Sequence, residues 1–440
     1  MSLPRYPEYR DSGVAWLGET PVHWSWASLK WISNRYSGGT PDKTRLEYWQ
    51  EGSIPWLNSG AVNDQVITAP SAYITEQALN NSSAKWIPKG ALVMALAGQG
   101  KTKGMVAQVM FETTCNQSMA AIVPSVDVYG RFLYWWLVSN YQNIRNMAGG
   151  DHRDGLNLEL VGAIPCPVPS SLEQRAIAAF LDRETAKIDA LIAEQEKLLA
   201  LLAEKRQATI SHAVTRGLDP NAPTKDSGIP WLGEVPAHWL IGGLTKFIGP
   251  VVDYRGRTPT KGDEGMFLVT AKNIRNGLID YATSEEYVDP TEANALLSRG
   301  SPEVGDVLFT TEAPLGQVAQ IDRTDIALAQ RIVKFRGLDG VLSNRYLMYW
   351  LMGSACQSRL ETLATGSTAL GIKASKLGMI ECLVPPVPEQ QEIVEHIDKQ
   401  LDQFAALQSN AARAIDLLRE RRSALISTAV TGKIDVREAA

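Results

Sequence analysis

Short apolar runs separated by turn residues make up much of each half of the chain. The first half contains "SIPWLNSG", "GALVMALA", "MVAQVMF" and "AAIVPS", which are typical of strands that end in Gly, Asn or Ser turns. Apolar residues at helical spacing follow in "GRFLYWWLVSNYQNIRNMA". The second half repeats this order with "MFLVTAKN", "GDVLFTTEAPLGQVAQI" and "RIVKF", and then with the helix "NRYLMYWLMGSACQSRLETLA". The pattern predicts one mixed α/β domain in each half.

A second pattern, a heptad, predicts a long helix after each mixed domain. From Glu173 to about Ala213, apolar residues fall on heptad positions at Ile177, Leu181, Ile188, Leu191, Leu198 and Leu202. The matching positions later in the chain are Ile393, Ile397, Phe404, Leu407, Ala414 and Leu418. Each helix has about 40 residues, or roughly 60 Å at 1.5 Å per residue. Sustained heptads favour a coiled-coil partner. The simplest partner is the other helix, running antiparallel in the same chain, and pairing between two copies of the chain is the alternative.

Three matches in the same order show that the chain contains an internal duplication. The segment "GVAWLGETPVHW" (13–24) returns as "GIPWLGEVPAHW" (228–239), with eight of twelve positions identical. The segments at 171–192 and 210–219 return at 388–407 and 426–435, at nearly the same offset. The predicted fold class is therefore α+β, with two mixed α/β domains in tandem, two long antiparallel coiled-coil helices that separate them, and an internal pseudo-two-fold repeat. The expected divisions are 1–170, 171–216, 217–387 and 388–440.

Composition narrows the class of protein without identifying a reaction. A chain of 440 residues with 45% hydrophobic and 21% charged residues is ordinary for a globular protein of two or more domains. The N-terminal residues lack the apolar core of a signal peptide, and no apolar run is long enough to span a membrane. The four scattered cysteines are expected to be buried in a cytoplasmic protein. A net charge of −5 argues weakly against a protein whose surface is largely covered by nucleic acid, but it does not exclude local basic faces.

The segment "ALAGQGKTKGM" (95–105) ends like a phosphate-binding loop, at Gly100-Lys101-Thr102. Such a loop needs a glycine where this chain has Ala95, and a helix must follow it. Instead, "GMVAQVMF" alternates like a strand. The residues favour a hairpin tip between two strands over a nucleotide site.

Other candidate chemistry is also weak. The segment "DHRD" (151–154) favours a solvent-facing loop over a metal or acid–base cluster, and metal-ligand spacings and nucleophile motifs are absent from the sequence. His23 and His238 favour a local hydrogen bond beside a packed Trp over catalysis. The sequence therefore offers no persuasive catalytic constellation.

Several of these segments resemble the specificity subunit of type I restriction-modification systems. The resemblance is carried by "WLGExPxHW", by Gly39-Thr40-Pro41 and Arg257-Thr258-Pro259, and by "PxxxEQ…I" leading into a long helix closed by "AVTxG". It covers essentially the whole chain. It implies two target-recognition domains, each reading one half of a split double-stranded DNA sequence, and helices that act as spacer and as docking surface for two methyltransferase subunits. It further implies motor-endonuclease subunits in the full complex, no membrane partner, and a non-catalytic chain without a cofactor of its own. S-adenosylmethionine, ATP and Mg would then act in the partner subunits.

The side chains expected to face DNA are those whose chemistry suits bases and phosphates and that fall at strand ends and turns. They are Asn58, Ser59, Gln99, Lys101, Lys103, His152 and Arg153 in the first domain, and Arg255, Arg257, Lys272, Asn273, Arg275 and Asn276 in the second. For any single one, a solvated surface position is an equally good interpretation. Two other classes of protein stay open, namely a coiled-coil scaffold without DNA specificity and a nucleotide-binding enzyme built on the phosphate-loop-like segment.

Overall fold

The computed structural model describes residues 4–98, 100–148, 155–254, 259–366 and 370–437. It divides into two compact units, one formed by Met1–Gln195 with Arg413–Ala440 and the other by Glu196–Ala412. Each unit has its own hydrophobic core around one mixed domain. The expectation of two mixed domains in tandem is confirmed at this level.

The first half of the chain supplies β1 to β12 and α1 to α6. In chain order they are β1 Tyr9–Asp11, β2 Glu19–Pro21, β3 Ser25–Ser28, α1 Leu29–Ile32, β4 Ser33–Ser37, β5 Ile54–Leu57, β6 Val66–Ile67, β7 Ala72–Ile74, α2 Glu76–Asn80, β8 Leu92–Ala95, β9 Val106–Val109, β10 Thr114–Cys115, β11 Met119–Pro124, α3 Gly130–Ser139, α4 Tyr141–Asn146, α5 Leu158–Ala163, β12 Pro165–Val168 and α6 Ser171–Arg216. The strands form a five-stranded sheet in the order β4-β11-β8-β9-β6 and a three-stranded sheet in the order β10-β5-β7. Strand β5 is parallel to β10.

The second half supplies the remaining elements. In chain order they are β13 Thr224–Asp226, β14 Glu234–Pro236, β15 Leu240–Gly243, β16 Val252–Asp253, β17 Lys261–Gly262, β18 Met266–Val269, β19 Ile274–Arg275, β20 Leu278–Ile279, β21 Tyr287–Val288, α7 Pro290–Leu297, β22 Val307–Thr310, β23 Val318–Gln320, β24 Ile326–Leu328, β25 Ile332–Phe335, α8 Asn344–Met352, α9 Ser354–Leu363, β26 Glu381–Val384 and α10 Val387–Val430. Their main sheet has the order β16-β25-β22-β23, and a second sheet contains β21-β18-β24, with β18 parallel to β24. These orders match β4-β11-β8-β9 and β7-β5-β10, so the duplication seen in sequence is also a duplication of topology.

The aromatic-rich helix after the strands is broken in both domains, where the apolar spacing predicts one continuous helix. In the first domain α3 ends at Ser139, Asn140 caps it, and α4 starts at Tyr141. In the second domain Gly353 separates α8 from α9. The paired aromatic residues before each break, Trp135-Trp136 and Tyr349-Trp350, are buried in the cores. The first segment of each pair contributes its apolar face to the core of its unit.

The two long helices are present, with 46 residues in α6 and 44 in α10. Their heptad assignment is wrong in the middle, because Leu191, Leu198 and Leu407 are 52%, 38% and 48% exposed. A row at heptad spacing, Leu181, Ile188 and Leu202, stays buried, but the second row that is at least partly buried runs through Thr185, Ile192 and Leu199, on the flank of the first row opposite Leu191 and Leu198. In the middle of α10 the buried positions are Ala411 and Ile415 instead.

Each unit combines segments of both long helices. In the first unit, Arg422 of α10 donates hydrogen bonds of 2.8 and 3.2 Å to the two carboxylate oxygens of Asp189 in α6. The core of that unit also contains Ile426 and Val430 from the end of α10. In the second unit, the end of α6 contributes Val214 to the core. Each mixed domain is therefore packed against the start of its own helix and the end of the other one.

The repeated "WLGExPxHW" segment is tied to the first turn of each long helix. In the first unit, the buried Glu173 carboxylate accepts hydrogen bonds from His23 Nε2 at 2.8 Å and Trp24 Nε1 at 3.2 Å. Ser170 and Glu173 also form a reciprocal capping box at the start of α6. In the second unit, His238 and Trp239 bind Glu389 in the same way, at 2.7 and 3.0 Å. The expectation of a local partner for these histidines is wrong, since the partner is 150 residues away along the chain.

Replacing Glu173 with Gln is expected to destabilise the chain by about 1.5–3 kcal/mol at pH 7, the range for hydrogen bonds to charged groups. Burial raises the pKa of Glu173, but the hydrogen bonds from His23, Ser170 and Trp24 outweigh it and hold the pKa below its ordinary value. The carboxylate is therefore favoured in the folded state. The stability that the Glu173 carboxylate contributes is fully present above the ordinary glutamate pKa of about 4.3. It is lost as the pH falls through the lower pKa of Glu173 in the folded state.

Urea unfolding at pH 7 and at pH 3 measures both parts of this prediction. The difference between the wild type and Glu173→Gln should shrink at pH 3. Glu194→Gln, at an exposed position of the same helix, is the control and should change the free energy of unfolding by less than about 0.5 kcal/mol. An equal loss at both pH values would show that the charge of Glu173 is not what stabilises the fold.

Candidate functional site

The carboxyl ends of the two parallel strands in each domain lie side by side and carry polar residues. In the first domain, the backbone N–H of Asn116 after β10 donates to the carbonyl of Leu57 at the end of β5, at 3.0 Å. In the second, the N–H of Ala329 after β24 donates to the carbonyl of Val269 at the end of β18, at 2.9 Å. The three residues after each strand are therefore equivalent. We call 58–60 ("NSG") with 116–118 ("NQS") the first polar edge, and 270–272 ("TAK") with 329–331 ("AQR") the second polar edge.

The first polar edge consists of amides, hydroxyls and one glycine. Asn58 and Asn116 each use Oδ1 to accept a backbone N–H two residues ahead, at 2.8 and 3.1 Å, which leaves their NH2 groups as donors. Gln117 is exposed, and its Oε1 accepts a hydrogen bond from the Thr40 hydroxyl. A carbonyl oxygen has two lone pairs, so Gln117 keeps both a donor and an acceptor for a ligand.

The "G-x-TP" element is held against this edge by a close backbone approach. A Cβ atom on Gly38 would lie 1.9 Å from the carbonyl oxygen of Cys115, so only glycine fits there. The N–H of Gly39 donates to that same carbonyl at 2.8 Å. The carbonyl of Gly39 accepts from Trp56 Nε1 at 3.0 Å. These contacts fix the backbone that places Thr40 beside Gln117.

The second polar edge carries two cations, Lys272 and Arg331, among uncharged residues. Lys272, Arg331 and Lys261 line one cavity of about 220 Å³. Lys261 pairs with Glu286 at 2.7 Å, and Arg331 pairs with Glu312 at 2.9 Å. Burial alone raises the pKa of Glu286, but the hydrogen bond from Lys261 and the charges of Lys261 and Lys272 hold it below its ordinary value. Three cations and one carboxylate thus line this cavity.

The backbone at Arg331 is strained. Its φ of 76° lies in the left-handed region, which costs a non-glycine residue of the order of 1–3 kcal/mol. Ala313, which lines the same cavity, also has a positive φ, of 46°. Glycine would relieve this strain at position 331, yet the chain has an arginine there. Strain of this kind clusters at binding sites, where the side chain has a role of its own.

Three of the residues that the sequence predicts to face DNA lie on the polar edges, namely Asn58, Ser59 and Lys272. Five others, Gln99, His152, Arg153, Arg255 and Arg257, lie outside the described residues. For none of these residues does the structure test contact with DNA, so their role stays a prediction.

Two of the predicted DNA-facing residues are buried in this structure. Lys103 is only 6% exposed, although it follows the exposed Lys101 by two positions. Asn273 is fully buried, with Nδ2 donating to the carbonyls of Asp280 and Ser284 and Oδ1 accepting from Thr270. Every hydrogen-bonding capacity of Asn273 is used to shape the loop after β18. Counting polar residues near strand ends could not separate these inward-facing side chains from exposed ones.

The remaining three predicted residues lie on hairpins. Lys101 is exposed between β8 and β9, which pair antiparallel, so a strand and not a helix follows Gly100-Lys101-Thr102 and the hairpin interpretation is confirmed. Asn276 and Gly277 form the two-residue turn between β19 and β20, with φ of 54° and 85°. The carbonyl of Asn276 accepts from Arg206 of α6 at 3.0 Å, and Arg275 beside it is 3.8 Å from Asp280. Neither Arg275 nor Asn276 lines the cavity to which Lys272 contributes.

The sequence interpretation missed the half of each edge that follows the second parallel strand. These residues are Asn116, Gln117, Gln330 and Arg331. The strands before them, β10 and β24, have only two and three residues and give little periodic signal. Aligning "CNQSM" with "LAQRI" would have found them, because Gln117 and Gln330 occupy equivalent positions in the two halves.

Other site types find no support within the described ranges. No three His, Cys, Asp or Glu side chains are grouped there so that they could hold a metal ion. No helix in this part of the chain is long and apolar enough to cross a membrane. All four cysteines are buried and unpaired, and burial raises the pKa of Cys115 and of Cys356 to about 12.

Comparison with known proteins gives consistent matches. The family model described as the type I restriction modification DNA specificity domain matches residues 21–200 and 268–414. The chain is 29% identical to the EcoR124I/EcoR124II specificity subunit of Escherichia coli over 187 residues, which span 42% of this chain and 45% of that relative. It is 20% identical to the EcoKI specificity subunit of E. coli K12 over 432 residues, which cover 95% and 90% of the two chains.

Two solved structures share the fold. A chain from work on complex assembly and conformational transition of the type I R-M system superimposes with a TM-score of 0.72, at 17% identity, and covers 93% of this chain and 98% of its own length. The HsdS subunit from Thermoanaerobacter tengcongensis gives a TM-score of 0.55, also at 17% identity, over 94% and 98%. At this level of identity these likenesses speak for the fold alone.

Proposed function

The chain belongs to the type I restriction-modification DNA specificity family, and on that premise we propose that its two mixed domains read the two halves of a bipartite DNA target. The observation that carries this proposal is the duplicated polar edge. Two domains of one topology present different side chains at five of the six equivalent positions, as expected if each reads its own short sequence. Amides and hydroxyls on the first edge and cations on the second are the groups that read bases and contact phosphates.

The long helices are proposed to set the distance between the half-sites. Helix α6 has 46 residues, or about 69 Å at 1.5 Å per residue. The ion pair between Arg422 and Asp189 and the packing of both helix ends on the domain cores support an antiparallel pair within the chain over a pair between two copies. A rigid helical pair suits half-sites about one helical turn of DNA apart, roughly 34 Å.

Exposed leucines on the helices support the proposal that partner subunits dock there. Leu191, Leu198 and Leu201 of α6, and Leu407 and Leu417 of α10, are between 38% and 56% exposed. We propose two methyltransferase subunits as these partners, joined by motor-endonuclease subunits in the complete complex. Methyl transfer and cleavage, with S-adenosylmethionine, ATP and Mg, would then belong to those subunits, and the chain itself would carry no catalytic residue and act in the cytoplasm.

Sequencing of the methylome in cells with and without this gene tests the proposal. The expected result is one split motif that is methylated only when the gene is present, with two specified halves around a gap of fixed length. A motif without a gap, or methylation that does not depend on the gene, would contradict the proposed function.

A further inference from the structure

The two polar edges differ in charge at matched positions, which bears on the base pairs that each edge would contact. The first edge reads Asn-Ser-Gly and Asn-Gln-Ser, so all its side chains are uncharged. The second reads Thr-Ala-Lys and Ala-Gln-Arg at the same six positions. Lys272 replaces Gly60, and Arg331 replaces Ser118. The two domains share one topology, so they differ here in the side chains that equivalent strand ends carry.

The chemistry of the first edge matches A·T base pairs. Adenine presents N7 as an acceptor and N6 as a donor in the major groove, and a glutamine or asparagine amide contacts both at once. Gln117 is the exposed amide of this edge and retains a donor and an acceptor beside Thr40. Asn58 is also exposed, with its NH2 group directed away from its own backbone contact.

The chemistry of the second edge matches a G·C base pair. Guanine presents two acceptors, O6 and N7, which an arginine contacts with two parallel hydrogen bonds. Arg331 has a side chain that is 47% exposed and a strained left-handed backbone, and it lines the cavity together with Lys272. Glu312, 2.9 Å from the guanidinium, can orient it and can accept a hydrogen bond from cytosine N4.

We propose that Gln117 reads an adenine in one half-site and Arg331, at the position equivalent to Ser118, reads a guanine in the other, so the two halves of the target differ in a base pair contacted from neighbouring positions of the matched edges. The inference rests on the proposed function, because it assumes that each domain reads one half-site. It goes further by assigning a base to a residue in each domain.

The test uses the whole complex in cells, with methylome sequencing of single variants. Arg331→Asn removes the charge and keeps a residue that tolerates the left-handed backbone. It should relax one G·C position in one half of the motif, with a loss of discrimination of roughly 5- to 150-fold. Gln117→Leu should relax one A·T position in the other half by a similar factor.

Two matched controls are available in the chain. Arg323 has a side chain that is 45% exposed and pairs with Asp325 at 3.1 Å, much like Arg331 with Glu312, but it lies outside the edge. Gln142 is an exposed glutamine on α4. Arg323→Asn and Gln142→Leu should leave both halves of the motif unchanged, and relaxation by either control would overturn the assignment to the edges.

Competition binding of the purified complex to duplexes with single base changes distinguishes a base-specific contact from a sequence-independent contact with phosphate. If Arg331→Asn weakened binding to all duplexes equally and made the salt dependence of binding shallower by about one unit, Arg331 would contact a phosphate. That result would overturn the guanine assignment. An unchanged motif, or relaxation of the opposite type of base pair, would also overturn it while leaving the proposed function intact. A wild-type methylome without any split motif would overturn both.

Discussion

Exchanging residues 25–170 for the equivalent domain of a relative is expected to replace one half of the methylated motif and leave the other half as it was. The first polar edge lies wholly within this segment, whereas residues 270–272 and 329–331 belong to the other compact unit with its own core. Each mismatched base pair costs about 1–3 kcal/mol. If the new half-site differs at three positions, the preference of the variant for the new half-site over the old one should therefore be roughly 150-fold or more. Methylome sequencing of the exchange variant measures the result directly.

The reciprocal exchange, of residues 240–387, is the control for this prediction and should change only the other half. Both exchanges leave α6 and most of α10 in place, so the gap between the halves should keep its length. An exchange that alters both halves together would mean that the two domains form one composite reading surface. Loss of methylation in one exchange but a clean change in the other would indicate misfolding of the first variant and would leave the second as the deciding result.

Much of this fold could be predicted because its signals are local or repeated. Apolar runs such as "GALVMALA" and "RIVKF" correspond to strands β8 and β25, and the strand that follows Lys101 could be distinguished from a helix by its alternation. The repeat at an offset of about 215 residues indicated two domains of one topology. The break at Gly353 and the burial pattern in the middle of α6 were predicted less well, because they depend on packing against other elements.

The candidate site could be predicted only in part, because it joins segments that are distant in sequence. Asn58 and Gln117 are 59 positions apart and meet only because β5 and β10 pair in parallel. No local pattern specifies that pairing. Asn273 shows the converse, since its sequence context suits an exposed turn but the folded loop buries its side chain and uses all of its hydrogen bonds. The orientation of a polar side chain at a strand end is thus set by tertiary contacts.

The second domain holds a buried ionic cluster that the first domain lacks. Asp306 is fully buried and accepts hydrogen bonds from Lys334 at 2.6 Å and from Arg336 Nε at 2.8 Å. The strand registers make Ala91, Ala121 and Val123 the equivalents of these three residues in the first domain. The same scaffold is therefore stable with apolar residues at all three positions, so the cluster is not required by the topology.

Replacing Asp306 with Ala alone is expected to destabilise the second unit by about 3–5 kcal/mol, because Lys334, only 8% exposed, would keep a buried charge without its partner. The triple change Asp306→Ala, Lys334→Ala and Arg336→Val reproduces the first domain and should restore most of that loss, since well-packed apolar residues often replace a buried ion pair without cost. Urea unfolding of the three proteins gives the free energies, with Asp325→Ala at an exposed ion pair as the control, expected to change by less than about 1 kcal/mol. If the triple variant were as unstable as Asp306→Ala, the charges would be contributing to the fold itself. If the triple variant were stable but read the second half-site with a changed sequence, the cluster would act by holding strands β22 and β25 in the register that positions Arg331.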